Sequence, residues 1–131
     1  MTDQQIRDYL KNRGCPAHIW NAGREGLVQR WKKFVAKVEI GCPTWLIEEY
    51  WNGLDTRELI HDIGRDTDVR EIDEKFATML TARDIKHWHK DRNTDYDFWN
   101  YGYPKNAAGY FLQDIKQHIL TLTDPKNPDV R

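Results

Sequence analysis

A chain of 131 residues with 20 basic and 21 acidic side chains, net charge −1, has the size of a single domain. It is long enough to bury about two-thirds of its unfolded surface, so neither a metal nor a disulfide is required to hold a core. The near-neutral balance argues against a general nucleic-acid or membrane-surface role, which shows as a basic excess, and no apolar run approaches the ~20 residues that cross a bilayer.

The N-terminal MTDQQIRDYL has no basic region followed by an apolar core, so it does not read as a signal peptide. With two cysteines and no such signal, the expectation is a reducing cytoplasm and free thiols. Thr2 and Gln5 stand at capping-box spacing ahead of Ile6, Tyr9 and Leu10, which predicts a first helix over about 3–13 that ends at Gly14. The strongest periodicity follows. Leu27, Val28, Trp31, Phe34, Val35 and Val38 recur at steps of three and four and form one apolar stripe on a helix over 24–40. Arg30, Lys33 and Lys37 occupy the other side. Gly14-Cys15-Pro16 and Gly41-Cys42-Pro43 act as punctuation, glycine closing one helix and proline standing near the start of the next.

After Pro43, Thr44 is placed to cap a helix carrying Leu46, Ile47 and Tyr50 that closes near Gly53. Asp55 and Glu58 are spaced as a second capping box, opening a short helix with Leu59, Ile60 and Ile63 that ends at Gly64. From Thr67 the stripe Val69, Ile72, Phe76, Met79, Leu80 and Arg83 predicts a long helix to about Lys90, roughly 36 Å at 1.5 Å per residue. Residues 91–106 lose the period and read as an aromatic loop. A last helix over 107–122 buries Phe111, Leu112, Ile115, Ile119 and Leu122, and the tail 123–131, with two prolines, has little to bury. No segment alternates as a strand does. The expected fold is all-α: a compact single-domain bundle of about six helices joined by Gly/Pro turns, spanning 1–122.

Charge is uneven along this bundle. Residues 24–37 hold five basic residues and one acid, whereas 48–74 hold ten acids and three basic residues. Two helix faces that attract one another account for this pattern.

The aromatic loop is the main functional candidate. Tyr96, Phe98, Trp99, Tyr101 and Tyr103 fall within eight residues and lead into Pro104 and Lys105. Loops gather polar and turn-forming residues, so five rings here need a reason. Either the rings fold back and plug the end of the bundle, or they present a contact surface, since Tyr and Trp are enriched at binding hot spots. Trp99, Tyr101, Tyr103 and Lys105 are the candidate binding residues, with His87 and Asp91 as nearby polar groups. The reading this favours is a protein-binding module with an unknown protein partner, the inhibitor or immunity type being one specific form. A rival reading is an enzyme or small-ligand binder with its pocket between loop and bundle, using His87, Asp91 or Tyr103. A third is nucleic-acid contact through Arg30, Lys33 and Lys37.

The runs LVQRWKKFV, VEIG, LDTRELI and WNYGYPKNAAGYFLQDI resemble a family of small uncharacterised bacterial proteins in which a Trp- and Tyr-rich Pro-Lys segment precedes a final helix. The resemblance covers about residues 14–115. It implies a bacterial, soluble, single-domain protein and assigns no activity. The pattern also leads one to expect an arginine two places before the proline, where this chain has Gly102, which weakens any anion-binding role there.

Other constellations carry less. Glu58-x-x-His61 and Asp84-x-x-His87 mimic the paired motifs of di-iron bundles, but Glu58 and His61 fall on the side away from Leu59, Ile60 and Ile63. Cys15, His18 and Cys42 would give three zinc ligands with nothing to force them together. A thiol near a helix N-terminus can be activated, which keeps Cys15 or Cys42 as redox candidates. No serine is present, no Gly-rich phosphate loop follows a strand, and no cofactor is implied.

Overall fold

The computed structural model describes residues 1–80 and 103–123, with side chains through residue 118. Five α-helices stand in this part: α1 (Asp3–Asn12), α2 (Ala17–Glu39), α3 (Ile47–Asp62), α4 (Arg70–Thr78) and α5 (Gly109–Thr123). A 3-10 turn, Asp66–Val69, leads into α4. No strand is present among the described residues, where the sole β-type pairing is an isolated bridge between Leu80 and Pro104. No described helix is long and apolar enough to cross a membrane.

Helix α1 opens on the expected capping box. The Thr2 hydroxyl accepts the Gln5 N–H at 3.2 Å, and the Gln5 side chain accepts the Thr2 N–H at 2.8 Å, so two orphan donors of the first turn are satisfied reciprocally. Helix α2 starts seven residues before the expected Arg24. Its first part, 17–22, has too few apolar positions to show a period, yet Ile19 is buried. Gly23 (φ 61°, ψ −147°) separates the two parts in a conformation open only to glycine. Beyond this break the helix follows the predicted stripe: Leu27, Trp31, Phe34, Val35 and Val38 are buried, with Val28 packed at the edge.

Three helix boundaries differ from expectation. The two short helices predicted on either side of Gly53 are one helix, α3. A Cβ on Gly53 would lie 2.1 Å from the Phe34 ring, so this glycine marks a close crossing with α2 and not a helix end. Helical glycine costs roughly 1 kcal/mol, and the buried Tyr50, Trp51, Leu54 and Ile60 around it outweigh that. Asp55 therefore lies inside a helix and not at the start of one. The N-terminus of α3 is also not capped by Thr44. Leu46 occupies the cap position, and the Ile47 N–H is instead taken by the Asp114 carboxylate of α5 at 2.8 Å. Finally, the long helix expected over 67–90 begins as the 3-10 turn and ends at Thr78, with Leu80 drawn into the bridge to Pro104. Residues 81–102 lie outside the described part, as does the expected tail beyond Thr123.

An aromatic cluster lies within the mainly aliphatic core. Phe34 stacks on Trp31 (5.2 Å between centroids) and on Trp45 (5.4 Å), and also meets Tyr50 and Phe76. Phe111 of α5 closes on Trp45 and Tyr50 at 5.8 and 5.6 Å. Rings from α2, α3, α4 and α5 thus form one continuous cluster, in the offset and edge-on arrangements that the ring quadrupole favours.

Inside this core sits a charged group with no counterpart in the sequence expectations. Arg57 on α3 is 1% exposed. Its Nε and Nη2 donate to both oxygens of Asp73 on α4 at 2.9 and 2.8 Å, and Nη2 also reaches Asp66 at 2.7 Å. The Trp31 indole N–H donates to the same Asp73 at 2.9 Å. One carboxylate thereby joins α2, α3 and α4. A guanidinium matches it in geometry, and removal from water makes such charge-assisted bonds obligatory.

Candidate functional site

The described end of the aromatic segment is pinned onto the end of α4 and the loop that follows α2. The Lys105 N–H donates to the Met79 carbonyl at 2.7 Å, and Asn106 Nδ2 donates to the Glu39 carbonyl at 3.1 Å. The Ala108 and Tyr110 N–H groups donate to the Gly41 and Pro43 carbonyls at 3.0 and 2.8 Å. A Cβ on Gly109 would stand 2.7 Å from the Pro43 oxygen, so the two backbones pass at contact distance. With Asp114 binding Ile47, residues 103–114 and 39–47 form a seam fixed by four hydrogen bonds, and Lys105 adds a fifth to the end of α4. A register set this firmly holds whatever side chains it displays in place.

This seam displays apolar side chains to solvent. Among the described residues the exposed large hydrophobics are Met1, Ile40 (77%), Leu46 (52%) and Tyr110 (71%). All but Met1 belong to the seam. Ile40 precedes Gly41, Leu46 precedes Ile47, and Tyr110 lies one turn before Asp114 on the same side of α5. Scattered single apolar residues on a surface need no explanation, but three gathered on one backbone framework do.

Of the six residues singled out by sequence, Tyr103 and Lys105 belong to this seam. Tyr103 is half-buried against the core, next to the buried Pro104, while the Lys105 side chain is exposed. Trp99, Tyr101, His87 and Asp91 lie outside the described residues. Ile40, Leu46 and Tyr110 were missed. As sequence they are helix-end apolar positions, and their exposure is fixed only when the loops meet.

The remaining candidates are dispersed. His61 is exposed and its Nδ1 lies 2.8 Å from Asp66, whereas Glu58 is half-buried; Asp84 and His87 fall outside the described part. Cys15 is half-buried, His18 exposed and Cys42 buried. Among the described residues no three metal-ligating side chains converge. Cys42 is not an activated thiol: its Sγ donates to the Lys37 carbonyl at 2.8 Å, and burial pushes its pKa up to about 12, against the opposing pull of Lys37. Two adjoining open grooves, of about 630 and 520 Å³, lie between α2 and the Asp66–Val69 turn with α4, where Val28, Gln29 and Asp68 line both.

No protein-family model matches the chain, and no curated protein or solved structure is significantly similar to it.

Proposed function

We propose that this protein is a small cytoplasmic protein-binding module and that its contact face is the seam between residues 39–47 and 103–114. The observation that carries this reading is the gathering of Ile40, Leu46 and Tyr110, all more than half exposed, on one hydrogen-bonded framework. A tyrosine brings a large, rigid, amphipathic surface to an interface at little entropic cost. Tyr103 and Lys105 stand at the same place, and Trp99 and Tyr101 precede them directly in the chain. Of the side chains that sequence reading assigned to a partner, Tyr103 and Lys105 belong to this framework.

Site-specific photo-cross-linking tests it. A benzophenone amino acid in place of Tyr110, and separately of Leu46, gives a discrete protein adduct in the cells that make the protein, and the same probe at Lys116, exposed on α5, does not. Absence of an adduct from both seam positions in a folded variant removes the reading.

A further inference from the structure

The apolar seam leads into a line of exposed positive charge. Arg30, Lys33, Lys37 and Ile40 lie at steps of three, four and three along α2, which places all four on one side of the helix. All are exposed. The line is about 15 Å long at 1.5 Å per residue.

Some other cations of the described part are ion-paired, whereas these three, like the neighbouring exposed Lys32, are not. Arg13 faces Asp62, Arg24 faces Asp68 at 3.4 Å, Arg57 faces Asp66 and Asp73, and Lys75 faces Glu39 at 2.6 Å. Among the described residues, neither Arg30, Lys33 nor Lys37 enters an ion pair. The one acid near the end of α2, Glu39, is turned to α4 and occupied by Lys75. Like charges at three- and four-residue spacing repel by a few tenths of a kcal/mol per pair, and nothing on this face offsets that. A solvated face accounts for the three cations but not for an isoleucine 77% exposed in line with them.

Building on the protein-binding reading, we infer that the partner docks through an acidic segment ending in an apolar anchor, its carboxylates along Arg30–Lys33–Lys37 and its anchor on Ile40, Leu46 and Tyr110. The chemistry favours a polypeptide over nucleic acid. Aliphatic Ile40 and Leu46 have nothing to gain from a phosphate backbone. The exposed Glu48 and Glu49, just after Leu46, would repel phosphates arriving at that end. An acidic segment changing to apolar residues after about 15 Å matches the order of cations and then hydrophobics on this face.

The test is fluorescence anisotropy with a labelled peptide whose first half is glutamate-rich and whose second half is Leu-Trp-Leu. The same peptide with glutamine for glutamate and a single-stranded DNA of equal length serve as comparisons. The acidic peptide binds the full chain, the glutamine peptide binds about tenfold more weakly, and the DNA binds no better than the glutamine peptide. Reversing Lys33→Glu and Lys37→Glu together, both exposed and so tolerated by the fold, weakens the acidic peptide about tenfold, and Ile40→Ser weakens both peptides. Equal binding of the two peptides, no binding of either, or tighter binding of DNA overturns the inference. If cross-linking from Tyr110 persists while these outcomes fail, the contact face stands and its acidic partner falls. Loss of cross-linking removes both.

Discussion

Gly53 shows how far one residue's role depends on its neighbour in space. Alanine there would ordinarily stabilise a helix by roughly 1 kcal/mol. Here its Cβ would arrive 2.1 Å from Phe34, a ring that is itself stacked between Trp31 and Trp45 and cannot give way. Overpacking of this kind costs about 1–3 kcal/mol. Gly53→Ala is therefore expected to lower stability by up to about 2 kcal/mol after the helix gain is offset, read as a lower urea midpoint at unchanged slope. A higher midpoint would mean that α2 and α3 do not cross at this glycine. The sequence shows a glycine among apolar residues, the same signal in either case; only the ring opposite distinguishes a break from a contact. Arg57 is similar. It stands three residues from both Leu54 and Ile60, but that it is buried follows from Asp73, 16 residues away.

At the scale of elements, the helix periods were legible and several ends were not. The stripe of α2 and the capping box of α1 are local: every atom involved lies within a few turns, so spacing alone specifies them. The start of α3 is non-local. Its cap is Asp114, 67 residues distant, which accepts the Ile47 N–H and adds a negative charge at the positive end of the helix dipole. Asp114→Ala is expected to cost about 1 kcal/mol, while Thr44→Ala, at the position sequence favours as the cap, is expected to change stability by less than about 0.5 kcal/mol. Comparison of the two urea midpoints decides the matter; a larger loss from Thr44 would restore the local cap. The end of α4 was likewise hidden. Met79 and Leu80 continue the apolar period, and the bridge from Leu80 to Pro104 that stops the helix has no signature in either segment.

Across the whole molecule, the core sets how the protein responds to alkali. The Cys42 thiol, ordinarily near 9.0, is pushed up to about 12 by burial, and the Tyr50 phenol is raised well above 10.0 for the same reason. Both groups keep their protons longer folded than unfolded. The folded state then binds more protons between the two values, so stability is whole below about pH 9 and falls as pH rises through 12. Cys42→Ala is expected to flatten this fall by up to about 1.4 kcal/mol per pH unit over that window, measured as unfolding free energy against pH. In the native state a thiol reagent at mild alkaline pH should modify Cys15 alone, and Cys42 only in denaturant. Rapid labelling of Cys42 in the folded protein would contradict its burial.

Sequence alone determined an all-α chain, its central amphipathic helix and the aromatic core positions, because each is a matter of period and composition within a short stretch. It also drew attention to the segment containing Tyr103 and Lys105. Tertiary structure alone decided that α3 runs through Gly53, that Asp114 caps it, that Arg57 is buried against Asp73, and that Ile40, Leu46 and Tyr110 stand exposed along one hydrogen-bonded seam. Those depend on which distant segments touch, and a contact between residues 16 to 67 positions apart leaves no period in either of them.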